Sequence, residues 1–348
     1  MDFADYLASR KRLYTGRASA AIYLILRANR LQRACVLVPA NICYAAVLPI
    51  VYSGNEPVFA DVGEDGNLTS ATVAEVLTRK LKAAIIPHMY GNPCLDTPEI
   101  CKTLLAQGTV VIEDCASAMG AEVSGAMTGT FGDYAVYSFG HSKTIDCGHG
   151  GLIVSRRDLD DLAAINAELP LHGARIDQEL ELLSRIYRLL RNCATSILCD
   201  AFYKCICRHM QHCFIFKASS EQIARLSAGI SKLNVIIDER RRNAMRYEDS
   251  LEWNAQIRRY TFHKGAVPWR YNVLIDETRR PALIAELLRR MLPVSDWYPV
   301  VAPMFGMYRP FPQAHRMERQ ILNFPVVDVT EDQIQVVTST INKFFAGG

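Results

Sequence analysis

What the chain lacks narrows its function before any motif is considered. No stretch reaches the about 18 continuous apolar residues of a membrane span. The opening MDFADYLASRKRLY has no apolar core of signal-peptide length, so export is not expected. An excess of charge of either sign is also missing: 39 Lys and Arg against 36 Asp and Glu leave +3. No basic block alternates with aromatic residues, which removes the electrostatic case for nucleic acid. The densest basic run, Glu239-Arg240-Arg241-Arg242, follows a helical pattern and reads as a solvated face. The eleven cysteines are scattered and form no compact disulfide framework, as expected of free thiols in a reducing cytoplasm. There are no internal repeats and no low-complexity segments. Two phosphate-binding signatures are absent as well, the dinucleotide G-x-G-x-x-G and the loop G-x-x-x-x-G-K-[ST].

What is present is one recurring rhythm. From residue 35 to 155, short apolar runs end in polar or glycine-containing corners: CVLVPA, PVFADV, AAIIPHMYG, TVVIEDC, YAVYSFG and GLIVS. Such runs suit strands covered on both faces, as in a mostly parallel sheet. LTSATVAEVLTRKLK (68–82) and TPEICKTLLAQG (97–108) between them read as helices. The alternation predicts an α/β fold, with ligands outside the carboxyl ends of the strands. Ile223, Leu226, Ile230, Leu233 and Ile237 recur at three- and four-residue intervals and predict one long amphipathic helix across 218–254. RYNVLID, then RRPALIAELLRRM, predict a strand and a helix with Pro281 near its start. Thr330 and Gln333 have capping-box spacing for the last helix. At 348 residues the chain is long enough for a large lobe, 1–245, and a small C-terminal α+β lobe, 246–348.

One lysine stands out. Lys143 lies in YSFGHSKTIDCGHGG, between a strand-like segment and a glycine-rich turn, 29 residues after an acid at a strand end, Asp114. TGRASAAIYLIL (15–26) adds a small-residue helix start. An acid for a ring nitrogen, an amine for an aldehyde and a helix N-terminus for phosphate are the parts that pyridoxal phosphate requires.

The segments TGRASAAI, VLVPANICYAAVLPIVYSGNEPVFADV, IIPHMYGNP, IEDCASAMGA, GTFGDYAVYSFGHSK and GHGG carry a resemblance. In their order and spacing the chain resembles the DegT-type (DegT/StrS) pyridoxal-phosphate sugar aminotransferases, over about 14–157 and again from about 218 to the end. The resemblance implies an aspartate-aminotransferase-like (type I) fold. It makes Lys143 the Schiff-base lysine and proton carrier, and Asp114 the partner of the pyridinium nitrogen. Glu113 beside it reads as a turn or capping acid. Ser117 falls beside the ring hydroxyl, and Ser138 with the backbone amides near Ala18 and Ser19 falls at the phosphate. His88, Tyr90 and Tyr298 are the candidates for substrate contact.

The chain also departs from the family pattern. At the position that stacks on the ring stands Cys43, with Tyr44 one step on; Cys43 is the positional match and Tyr44 the alternative. His141-Ser142 precede the lysine where Pro-Thr is usual, and His149 replaces an acid in the glycine turn. Where relatives place an asparagine that reaches the partner's phosphate, this chain has Ile215, with Lys217 nearby as a compensating charge. The segment 186–216 is longer and more apolar than the family suggests. Cys205, His209 and Cys213 in it share a helical spacing that matches no standard zinc motif, and no metal is expected. A packed insertion is the first reading. The basic residues Arg188, Arg191, Lys204 and Arg208 leave a membrane surface or a partner as the second.

The resemblance therefore implies transfer of an amino group from glutamate or glutamine to a ketone on a nucleotide-linked sugar, by a cytoplasmic homodimer. A cyclitol ketone is the alternative acceptor. The competing class is a regulatory or scaffolding protein that has lost turnover, suggested by Cys43, Ser117 and Ile215.

Overall fold

The computed structural model describes residues 3–77, 80–190 and 197–347. Each predicted apolar run is a strand of one sheet, which also takes in β1 (Lys11–Thr15), not among those runs; the first of them form β2 (Cys35–Pro39), β3 (Glu56–Ala60), β4 (Leu81–Pro87) and β5 (Val110–Asp114). A short hairpin, β6 (Glu122–Val123) and β7 (Ala126–Met127), precedes β8 (Tyr134–Ser138) and β9 (Gly151–Ser155). The seven-stranded order is β1-β9-β8-β5-β4-β2-β3. Strands β3, β2, β4, β5 and β8 run parallel, whereas β9 is antiparallel to both β8 and β1. Thr15 and Ser138 both pair with Gly151, so the carboxyl ends of β1 and β8 flank the start of β9. Next to them Asp114 ends β5 and Pro87 ends β4. All the loops that leave this edge open on the same side of the sheet.

Both faces of the sheet are covered, as the unbroken apolar runs require. On one face Val36, Val38, Ile85, Ile112, Val136 and Ile153 pack against α2 (Ala18–Ala28), α3 (Tyr44–Tyr52) and α6 (Asp160–Glu168). The alternate residues face α1 (Phe3–Ala8), α4 (Ser70–Ala74) and α5 (Thr97–Ala106). Helix α4 is much shorter than the predicted 68–82. A Thr69–Thr72 capping box starts it, and the chain is already in β4 at Leu81.

The segment after α6 folds onto this body. Helices α7 (Ile176–Leu190) and α8 (Ile197–His209) place Tyr187, Cys199, Tyr203 and Ile206 in the main core, joined by Cys213 to Phe216. The described residues of 186–216 thus pack apolar side chains against the body of the protein. Cys205 is exposed, Cys213 is buried, and the two do not converge with His209 on one point. Arg191 lies outside the described residues. The predicted long helix is two, α9 (Ser220–Ile230) and α10 (Leu233–Ser250). The break falls where Gly229 packs on Ile145 and the Ser231 hydroxyl bonds the Ala228 carbonyl, a local competitor of the helical ladder.

The end of α10 enters a second core. Ala244 and Tyr247 pack with a three-stranded antiparallel sheet, β10 (Ile257–Arg259), β11 (Tyr271–Ile275) and β12 (Ile321–Phe324). Helices α11 (Arg280–Arg289) and α13 (Glu331–Ala346) cover it, while α12 (Pro312–Gln320) leads into β12. Pro281 sits in the first turn of α11, and the Thr330–Gln333 box caps α13 from both sides.

Glu113 shows what a fully buried acid does at the sheet edge. Its carboxylate accepts the amides of Gly129 (2.8 Å), Phe131 (2.6 Å) and Gly132 (2.7 Å) and faces His88 Nε2 at 3.3 Å. It is a turn acid as expected, and its neighbour Asp114 alone points to the open side. Glu113→Ala leaves those amides without acceptors, so urea unfolding should show a loss of about 3 kcal/mol or more. A loss under about 1 kcal/mol would mean that the turn does not depend on this carboxylate.

Candidate active site

The loops at the carboxyl edge enclose a cleft of about 610 Å³, bounded by α2, α3, α7, the 138–148 loop and the start of the small sheet. Lys143, Asp114, Ser117, Ser138, Ala18, Ser19, Cys43 and Tyr44 all line it. Residues distant in sequence meet here because parallel strands send every crossover loop to the same edge.

Lys143 is held by its backbone as well as its side chain. Its Nζ donates to Ser117 Oγ at 3.0 Å. The Asp146 carboxylate gathers the amides of Ser142 and Gly148 at 2.8 and 2.9 Å and so closes the turn. Ser142 sits at φ 63°, a left-handed conformation in which this turn side chain is tolerated. From outside the loop, Arg240 donates to the Lys143 carbonyl (2.9 Å) and to that of Trp269 (2.7 Å), while Trp269 Nε1 reaches the Ser142 carbonyl (2.6 Å). Arg240 is only 1% exposed, which corrects the expectation of a solvated 239–242 face; Arg241 and Arg242 alone fit it. Burial depresses the Arg240 guanidinium to about 10. Burial likewise lowers Lys143 below the ordinary lysine value, against the opposing pull of Cys43 and Asp114.

Asp114 takes the Ala116 amide on Oδ1 at 2.9 Å and forms no ion pair within hydrogen-bonding distance among the described residues. Burial raises its pKa, and the Ala116 amide and Lys143 oppose that rise. The result is an acid that needs a cationic or N–H partner in the cleft.

The third feature is the start of α2. The first amides of a helix have no partner inside it and present a positive end. Ser19 Oγ is committed to the Ala45 carbonyl at 2.7 Å, so this residue offers its amide to the cleft. Ser138 Oγ stands across from it at the end of β8. The N-cap is Arg17, whose side chain makes no capping bond and lies over the Phe214 ring at 5.6 Å. Burial lowers its pKa, and it has no ion-pair partner among the described residues. Arg17 was missed in the sequence, although it directly precedes the small-residue helix start.

A buried amine, a buried acid and an unfilled helix N-terminus flanked by arginine surround one cavity. That set matches a planar group with an aldehyde, a ring nitrogen and a dianionic tail. A family model described as the DegT/DnrJ/EryC1/StrS aminotransferase family matches residues 1–342. The chain belongs to this family. It is 32% identical over 197 residues to a GDP-perosamine synthase from Vibrio cholerae, covering 56% of this chain and 53% of that protein. The matched stretch thus spans about half the length of this relative. A pleiotropic regulatory protein from Geobacillus stearothermophilus is 27% identical, with 99% of this chain and 87% of that one covered. The fold is shared with an aminotransferase from Psychrobacter cryohalolentis at a TM-score of 0.80 and 21% identity, covering 99% and 89% of the two chains. Pyridoxal phosphate is the cofactor of the family, and the donor set of the cleft fits it.

The remaining candidates divide. Cys43 caps α3 and faces the cleft, whereas the Tyr44 ring turns to Tyr187 (4.8 Å) and Phe214 (6.2 Å) of the insertion. Burial pushes the Tyr44 phenol up to about 12. His88 borders the cleft with both ring nitrogens engaged: Nδ1 accepts the Cys94 amide at 3.0 Å, which leaves Nε2–H for Glu113. Tyr90 does not line the cleft, contrary to expectation. It is fully buried behind Tyr298, and its hydroxyl accepts the Tyr298 amide at 3.3 Å. Tyr298 does line the cleft, stacked on Trp269 at 5.4 Å, and burial raises its phenol. Lys217 is no substitute charge for the phosphate, because its Nζ bonds the Ala167 carbonyl, and Ile215 is buried in the main core. Unforeseen lining comes from α7, which adds Asp177, Glu181, Ser184 and Arg188, and from the small lobe, which adds Trp269, Arg270 and Trp297.

A depressed Lys143 has a direct readout. Only the neutral amine attacks an aldehyde, so a lowered pKa brings the reactive form in at lower pH. The rate at which cofactor-free protein captures pyridoxal phosphate should rise with pH through a midpoint below the ordinary lysine value of 10.5. A midpoint at or above that value would contradict the burial argument.

Proposed function

We propose that the protein is a pyridoxal-phosphate-dependent aminotransferase that moves an amino group from glutamate or glutamine to the ketone of a nucleotide-linked sugar. The observation that carries this reading is the pair formed by Lys143 and Asp114, both buried and both opening on one cleft beside the free N-terminus of α2. The name of the Vibrio relative, a GDP-perosamine synthase, supports the substrate class. The reading keeps 1–245 as the cofactor-binding lobe and 246–348 as the small lobe. It also keeps the closed two-fold dimer and the cytoplasmic setting.

Bound pyridoxal phosphate supplies a carbonyl that exchanges amino groups and a ring that takes up the electron pair of a deprotonated carbon. The protein's part is to position the reactants and to move protons. Lys143 would hold the cofactor at its aldehyde end, and its free Nζ would accept and return the proton of the substrate carbon. The bond to Ser117 Oγ orients that amine, and burial lowers its pKa, which raises the share of neutral amine able to act as a base. Asp114 keeps the proton on the ring nitrogen. The amides of Ala18 and Ser19, with Ser138 and Arg17, hold the phosphate. Cys43 covers the ring less fully than an aromatic residue, so the phosphate end carries more of the cofactor's affinity.

A scaffolding role is the second reading, and the name of the Geobacillus relative favours it. Against it stands the cost of keeping an amine and an acid buried, which a scaffold has no use for.

Lys143→Ala should fold, lose the visible absorption band of the lysine-bound cofactor and lose about 10³-fold or more in rate. Turnover at the wild-type rate would refute the assignment. Asp114→Ala should retain cofactor poorly and be slower by about 10²-fold. A rate within a few-fold of wild type would remove Asp114 from its role. Incubating the wild-type holoenzyme with glutamate and a panel of keto-sugar nucleotides, and following amino-sugar product by mass, tests the substrate class. A holoenzyme whose visible band does not respond to any amino donor would favour the scaffold.

A further inference from the structure

Arg270 is a second cation in the cleft with no counter-charge. It stands at the entry to β11, on the small-lobe wall, and its guanidinium lies 4.8 Å from the centre of the Trp269 ring. Nη1 donates to Ser295 Oγ at 2.8 Å and Nη2 approaches Ser142 Oγ at 3.4 Å, one residue from Lys143. Both neighbours are neutral hydroxyls. No carboxylate lies within ion-pairing distance of it among the described residues, although elsewhere the small lobe pairs its arginines readily, as with Arg259–Glu248 and Arg319–Glu277. Taking a guanidinium partly out of water without an anion costs free energy, and that cost is recovered when an oxyanion docks on it. The ring beneath and the two serines fix the planar fork, so little freedom is lost on binding. Arg17 is the cation nearest the phosphate end of the cleft and belongs to the other lobe. Arg270 therefore faces what enters, and the cofactor's tail is served elsewhere.

Resting on the aminotransferase reading, we infer that Arg270 is the substrate-reading residue of this cleft and binds an oxyanion of the incoming molecule. That oxyanion is either the carboxylate of the amino donor or the diphosphate of the nucleotide sugar. Both meet the same guanidinium in turn if the donor leaves before the acceptor binds.

The test uses the cofactor-loaded wild type, Arg270→Gln and Arg270→Lys. In one arm, glutamate is titrated while the visible band of the cofactor is followed; in the other, GDP, UDP and dTDP are titrated as competitors of that response. Arg270→Gln should weaken at least one arm by roughly 10- to 100-fold. Arg270→Lys should recover part of that loss, and cofactor affinity and unfolding temperature should stay near wild type. A loss confined to the glutamate arm assigns the carboxylate, and a loss confined to the nucleotide arm assigns the diphosphate. Both arms within threefold of wild type, or a loss of cofactor instead, would overturn the inference while leaving the aminotransferase reading in place. A wild-type band that does not respond to glutamate or glutamine would strike at that reading itself.

Discussion

The site depends on one constraint: an amine and a carboxylate are kept out of water at neighbouring strand ends with no ion pair to neutralise either. Burial pushes Lys143 toward its neutral form and Asp114 toward its protonated form. Each is thereby poised for a partner with complementary hydrogen-bonding chemistry. The surrounding structure holds this unfavourable arrangement in place. Glu113 locks the turn behind β5, Asp146 closes the turn that carries Lys143, and Arg240 and Trp269 tie that turn to the start of the small lobe. The lysine is thus held by α10 and by the start of the small sheet as well as by its own turn.

The fold was legible because the sheet edge is written locally. Short runs such as TVVIEDC and YAVYSFG are apolar on both alternations, and their polar ends mark where loops leave the sheet. Thr330 and Gln333 announced a helix start for the same reason, since a capping box is a contact within four residues. What failed was set by distant partners. Helical periodicity runs through Ile230 and Leu233 alike, but the chain breaks between them where Gly229 meets Ile145. Arg240 looks like its neighbours in the sequence, and only the packing of α10 against residues 268–269 shows that one of three arginines is buried.

Within the site the same division holds. Lys143 and Asp114 could be singled out because Asp114 ends β5 and Lys143 lies in the turn that follows β8, and the structure brings both to one cleft. Tyr90 could not be separated from His88 by pattern, because the backbone turns sharply there: Tyr90 has φ 62° and its ring goes into the core behind Tyr298. The segment 186–216 was noticed for its apolar character, yet it lines the cleft with the charged Arg188 as well as the apolar Phe214, and the other polar lining of α7 lies upstream of it.

Of the three arginines that line the cleft beside Lys143, Arg17 and Arg270 are held on aromatic rings, and the charges of the cleft explain why. Asp114, Asp177 and Glu181 face it from the sheet and from α7. An anionic cofactor and an anionic substrate would meet repulsion from these acids unless cations stood closer to the anionic groups. Arg17 supplies one at the helix N-terminus, where the dipole already favours negative charge, and its guanidinium lies over the Phe214 ring. Arg270 supplies the other from the opposite wall, held by Trp269 and two serines. Both guanidiniums are stacked on aromatic rings and left without carboxylates, which is the arrangement expected where the counter-ion arrives from solution.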